Sequence, residues 1–321
     1  MYCAFQVRLN IARRVARGQQ RLRGLCLIRV AATIEMGLAK RMGFGHNGPR
    51  SKFAIAFLLT LLFTLLSAAS RFPLTALADG SPQHHSAAKA KADPAPAPRE
   101  QPMPFRSGET LNYRVSWAAF SEAAKLQLVV PEQRDLYGWH TWHFRGESHT
   151  LSTVRSLFPI DDQMDSYTDV FSLESRQFET HLNEFGKEKN EVDHLTASGQ
   201  ISRAPAPIVI VLPGTRDPLG ALYTLRSVDW QHTPDFRAPV FDGHNLLEMR
   251  ASRDSAAEPV KVPAGAYSAS RILIHVFQNQ KELTDLRLTM WIASDSARTP
   301  VAMQADLPFG MIRAELTSAS Q

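Results

Sequence analysis

Cysteine is nearly absent from this 321-residue chain, and both that occur, Cys3 and Cys26, lie in the first 78 residues. Residues 79–321 therefore cannot form a disulfide, a thiolate metal site or a cysteine nucleophile. Two catalytic signatures are also missing, the nucleophile elbow G-x-S-x-G and the zinc-protease motif H-E-x-x-H. There is no glycine-rich phosphate loop, since Pro213-Gly214-Thr215 lacks the lysine such a loop needs. No sequence repeat and no alternation of strand with helix is visible, which argues against a solenoid or a doubly wound sheet. Acidic residues are scarce at one end only. Residues 1–78 hold 12 Lys/Arg and one acid, Glu35, leaving 24 basic and 30 acidic residues beyond, so the two parts carry +11 and −6. The chain's overall positive charge belongs to its leader, and a nucleic-acid partner is not expected for the mildly acidic remainder.

What the leader does contain is one long apolar run. Residues 53–69, FAIAFLLTLLFTLLSAA, follow Arg50 and Lys52 and are followed by Ala76-Leu77-Ala78. A basic region, an apolar core and a small-x-small site make a signal peptide over 42–78, with Ala76 and Ala78 as the cleavage residues. The alternative is an uncleaved anchor, since 17 residues is at the short limit for a membrane span. Either way the rest of the chain is expected outside the cytoplasm, with the membrane touched only through this segment. Residues 1–41 are Arg-rich without a plausible core. They read as an extension ahead of a start at Met42 (or Met36), with a basic cytoplasmic tail as the other reading. Residues 79–104 are rich in Pro, Ala and charge and read as a disordered linker. His84-His85 within it reads as incidental.

From Phe105 the texture changes to alternation of apolar and polar residues, as in GETLNYRVSW (108–117) and AKLQLVV (124–130). Further strands are expected at 139–149, 164–171, 175–184, 188–196, 198–204, 246–252, 257–262, 266–279, 284–293, 299–306 and 310–317. One helix stands out in TRDPLGALYTLRSV. Asp217 is placed to N-cap it, Pro218 to begin it, and Leu219, Leu222, Tyr223 and Leu225 to give it an apolar stripe. A shorter turn of helix is compatible with 152–158. The expected fold is all-β and mainly antiparallel, a strongly curved sheet or open β-barrel-like domain with one packed α-helix, spanning 105–317.

FRSGETLNYRVSW, FPIDDQMDSYTDVFSLESRQF, DPLGALYTLRS, VPAGAYSASRI and MWIASDSARTPVAMQADLPFGMIRAEL, in that order, resemble the DUF3108 family of exported bacterial proteins. The chain departs from it at Trp117-Ala118-Ala119-Phe120, where family members often have a glycine nearby. The resemblance implies a single extracytoplasmic β domain and implies no cofactor or catalytic residue.

Several constellations remain as candidates. Asp161, Asp162, Asp165 and Asp169 are an acidic group without the ligand spacing of a calcium loop. Asp165, Tyr167 and Asp169 fall on one face of one strand, expected to be solvated or lightly buried, and are candidate binding residues. His140, His143 and His149 cannot ligate one ion from a straight strand, because 140 faces away and 143 lies about 20 Å from 149. No metal or cofactor is therefore expected. Trp291 and Arg298, in WIASDSARTP, read as parts of a hairpin in which Asp295 bonds turn amides and Arg298 meets a carboxylate. The functional alternative makes both part of a ligand-facing rim. The sequence favours a non-enzymatic envelope protein binding an apolar, glycan or protein partner. The alternative is a hydrolase of envelope glycan or lipid working through a carboxylate pair.

Overall fold

A computed structural model describes residues 102–320. The extension 1–41, the signal segment with Ala76 and Ala78, and the linker up to residue 101 lie outside the described residues. Among those described, no helix is long and apolar enough to cross a membrane.

Sixteen strands form one sheet. The first half comprises β1 (Thr110–Trp117), β2 (Phe120–Val129), β3 (Gln133–Leu136), β4 (Trp139–Thr150), β5 (Asp161–Asp169), β6 (Ser175–Glu184), β7 (Lys187–Ala197) and β8 (Ile208–Val211). The second comprises β9 (Asp235–Phe241), β10 (Leu246–Arg253), β11 (Glu258–Val262), β12 (Gly265–Gln278), β13 (Lys281–Glu282), β14 (Arg287–Ala293), β15 (Pro300–Leu307) and β16 (Gly310–Ser320). The spatial order is β8-β7-β6-β5-β4-β2-β1-β16-β15-β14-β12-β10-β9, with β3 beside β4 and with β11 and β13 beside β12. Every pairing is antiparallel except β7 with β8. The expected strand at 198–204 does not form; those residues are turn and loop, carrying the chain to the short parallel strand β8. Strands β3, β8, β9 and the two-residue β13 were not anticipated. The first two have only four residues each, too few to show a period, and Pro239 interrupts the third.

The sheet curls until its far edge returns to β6. The closing piece is Thr215-Arg216: the Ser175 N–H donates to the Thr215 carbonyl (3.0 Å), the Arg216 N–H to the Pro239 carbonyl (3.0 Å), and the Phe241 N–H to the Arg216 carbonyl (2.8 Å). The result is a nearly closed barrel-like sheet. Its lining follows the two-residue period: Leu111, Tyr113, Val115 and Trp117 of β1 point inward, as do Trp142 and Phe144 of β4 and Ile312, Ala314 and Leu316 of β16.

Two helices accompany the sheet. α1 (Ser152–Leu157) is the short turn compatible with 152–158. α2 (Pro218–Ser227) follows the closing piece directly and packs on β4, β5 and β9. Asp217 N-caps it as expected, accepting from the Gly220 N–H (2.8 Å), but it is fully buried and also accepts from the hydroxyls of Ser166 and Ser175. The helix lies so close to the sheet that a Cβ at Gly220 would come within 2.9 Å of the Thr168 methyl group and 3.0 Å of the Ser175 hydroxyl oxygen. Leu219, Tyr223 and Leu225 are buried, and Tyr223 stacks on Phe144 (3.8 Å between ring centroids) beside Phe105 and Trp142. Leu222, a member of the expected apolar stripe, is only half-buried, because the helix turns Leu219, Tyr223 and Arg226 inward.

Arg226 is the unexpected member of this interior. It and Glu109 are wholly buried and form a two-pronged ion pair. The guanidinium also donates to the Ala297 carbonyl (2.8 and 3.0 Å) and the Pro104 carbonyl (3.1 Å). One side chain thus ties the end of the helix to the start of the domain and to the β14–β15 turn.

Candidate functional site

The faces of β4, β5 and β6 differ sharply. Inward positions carry Phe144, Met164 and Phe178, while the outward ones carry His143, Arg145, Gln163, Asp165, Tyr167, Gln177, Glu179 and His181. Pairing sets these into rows: His143 opposite Tyr167 and Gln177, Arg145 opposite Asp165 and Glu179, and Glu147 opposite Gln163 and His181. Polar residues on an outer barrel face ordinarily meet water. Here Asp165 and Tyr167 are buried, at 2% and 7% exposure, with His143 and Gln177. This is deeper burial than the solvated or lightly buried face expected: neighbouring long side chains cover one another. The tip of the β3–β4 hairpin also reaches across β5, placing Tyr137 edge-on to His194 of β7 and Trp139 beneath the Arg176 guanidinium of β6.

Asp165 is the hub. Its carboxylate accepts from His143 Nε2 (2.6 Å), Arg145 Nε (2.8 Å) and Gln163 Nε2 (2.6 Å). Burial alone would raise its pKa, but these three bonds outweigh burial and hold it down at about 2, so it is ionised at any physiological pH. The Tyr167 ring stacks on His143 (4.5 Å). Burial, reinforced by the charges of Glu179 and Asp165, pushes the Tyr167 phenol up to about 12. Asp169 does not join them. It closes a turn, accepting from the amides of Phe171 (3.0 Å) and Ser172 (2.9 Å). On the inner side of the same strands, Asp162 is 3% exposed, and burial raises its carboxyl to about 7 despite a bond from the Asn183 amide, with Glu184 adding to the rise.

The other candidates lie elsewhere and apart. Trp291 sits on the outer face of β14, donating to Glu258 (2.9 Å) under the Arg313 guanidinium. Arg298 is in the β14–β15 turn, where the Asp295 carboxylate accepts from its amide (2.9 Å). Its guanidinium donates to the Ser227 carbonyl at the end of α2 (2.7 Å), so a helix end takes the place of the expected carboxylate. His149 pairs with Asp161 (2.9 Å), which Arg155 also binds, and His140 with Asp135 (2.9 Å).

Beside the Asp165 cluster, across β1, β2 and β4, runs an open groove of about 510 Å³. Asn112, Arg114, Lys125, Gln127, Glu147 and His149 line it. The outward residues of β4 therefore serve both features, Arg145 in the cluster and Glu147 and His149 in the groove. Reasoning from sequence singled out neither Glu179 and His181 nor, apart from His149, the groove residues. The signal for the first pair was the register of the β5–β6 hairpin.

A family model described as "Protein of unknown function (DUF3108)" matches residues 112–317. The chain belongs to the DUF3108 family. No curated protein matches it. Among solved structures, this DUF3108 chain is similar to a beta-barrel-like protein of the domain of unknown function DUF1849 from Brucella abortus. The two are 13% identical over 66% of this chain and 96% of that one, with a TM-score of 0.44. It is also similar to a Bacteroides fragilis protein described as exported, with a YmcC-like fold. Here identity is 11% over 68% of this chain and 98% of that one, with a TM-score of 0.32. Likeness this distant leaves the reading of the DUF3108 site to the chain's own residues.

Proposed function

We propose that the protein is an exported envelope protein that binds an extended segment of a protein partner along the groove over β1, β2 and β4. The observation that carries this reading is where the open space lies and what lines it. Inside the barrel, α2 and the rings of Phe105, Trp142, Phe144 and Tyr223 pack on one another. The groove is outside, and Arg114, Lys125, Glu147 and two amide side chains offer charges of both signs and hydrogen bonds along its length. Such a lining suits a peptide better than a sugar, for which stacking aromatics would be expected.

Export rests on the leader: Arg50 and Lys52, the apolar run and Ala76-Leu77-Ala78. N-terminal sequencing of the mature protein should begin at Asp79, and a chain retaining residues 53–69 would show an anchor instead. For binding, a photo-crosslinking residue at Gln127 should give a discrete adduct in cells, abolished by Lys125→Glu with Glu147→Lys. The same probe at His275, on another wall of the barrel, should give none. A smear identical at both positions would refute the groove as the site.

A further inference from the structure

We propose that Asp165, Glu179 and His181 form a binding site for a transition-series divalent cation, zinc being the simplest probe. Each offers a ligand atom, and the three atoms lie within 4.8 Å of one another. The placement follows from β geometry: Asp165 and Glu179 are directly opposite across β5 and β6, and His181 is two residues beyond Glu179 on the same face.

The position of His181 suits the role. Its Nδ1 lies 3.1 Å from the side-chain oxygen of Asn190 on β7, which leaves Nε2 facing the Glu179 carboxylate oxygen Oε2, 3.5 Å away. A cation about 2.1 Å from each of these two atoms would sit at an angle of about 110°, close to tetrahedral.

The surroundings have the form of a metal site's outer shell. Asp165 is oriented by His143, Arg145 and Gln163, and His181 by Asn190. Gln177, 6% exposed, donates from its amide to Glu179, while its own Oε1 is buried there without a partner. The two carboxylates of Asp165 and Glu179 face one guanidinium, that of Arg145, in this cluster. One imidazole and two carboxylates are donors that suit zinc and its neighbours. Water would complete the shell, since Glu179 and His181 are only half-buried.

The test uses the full chain with Cys3, Cys26, His46, His84 and His85 replaced by Ala, which removes the competing thiols and histidines ahead of the domain, after treatment with a chelator. Calorimetric titration with zinc chloride at pH 7 should show one equivalent bound at micromolar affinity or tighter, with a rise in melting temperature. Glu179→Gln and His181→Asn should each weaken binding more than about tenfold, the least expected when a ligand rather than an outer-shell group is lost. His232→Ala, at an exposed histidine remote in sequence, should leave it unchanged. The melting shift of the parent requires no variant to fold. Its absence, or binding undiminished in both variants, would overturn the proposal.

Discussion

Replacing Arg226 by Met tests whether the helix is held in the barrel by charge or by packing. Both members of the Arg226–Glu109 pair are fully buried, so neither charge has water to turn to. Removing one partner of such a pair typically costs about 3–5 kcal/mol, because the other charge stays behind in a poor solvent. Here the Ala297 and Pro104 carbonyls lose their Arg226 donors as well, so the upper end, about 5 kcal/mol, is expected. A domain has only about 5–15 kcal/mol in all, so the variant should sit near the edge of unfolding. With a urea slope of about 2–3 kcal/mol per molar, the midpoint should fall by about 2 M. The paired change Glu109→Leu with Arg226→Met should recover most of the loss, since an apolar pair of similar volume is often no worse than the ions it replaces. Urea melts of the four proteins complete the cycle. A loss below about 1 kcal/mol for Arg226→Met, or a double variant no better than the single, would refute the reasoning.

Asp162 predicts a pH dependence. Its folded-state pKa of about 7 lies above the ordinary 3.8, so the folded state holds a proton that the unfolded chain releases. Stability should therefore fall as pH rises from about 4 to about 7, by at most about 4 kcal/mol. Asp162→Asn should flatten that part of the curve in urea melts, and an unchanged slope would contradict it. Asp165, held at about 2, contributes in a separate window, its stabilisation being lost as pH falls from about 4 towards 2. For α2, Leu219→Ala should cost about 2–5 kcal/mol and half-buried Leu222→Ala distinctly less. Equal losses would mean that the helix is rotated from the orientation described. At the β1–β2 turn, Ala118 adopts φ +48°, a left-handed conformation that costs a non-glycine residue about 1 kcal/mol. Ala118→Gly should raise the melting temperature, and a fall would contradict the strain.

Part of this fold was legible because β1 alternates strictly. The burial of β1 switches at every residue, and that pattern is printed in LNYRVSW. The start of α2 was equally plain, as Asp217-Pro218 has one local meaning. Its inward face was not, because Arg226 is a charged residue at a core position, intelligible only beside Glu109, 117 residues away. The candidate site failed for a related reason. Asp165 and Tyr167 stood out as neighbours on one strand, but Glu179 and His181 join them through a register in which paired residue numbers sum to 344. That sum depends on where the hairpin turns, and a bulge between Tyr167 and Thr168 shifts it. The groove needed three strands in known order, and strand order is not written in any one of them.

The pairing of β1 with β16 has a consequence for how the chain is made. The first strand of the domain is bonded to the last, Thr110 opposite Ser320, so about 200 residues must be synthesised before that seam can close. Contacts of such long sequence separation form slowly. A nascent chain missing its final hairpin has β1 and β14 as unsatisfied edges, and it remains threadable for as long as its C-terminus is unmade. This order of synthesis puts the N-terminal residues ahead of the fold. The same seam makes the far terminus the sensitive one, where loss of the last strand would reopen the barrel from its middle.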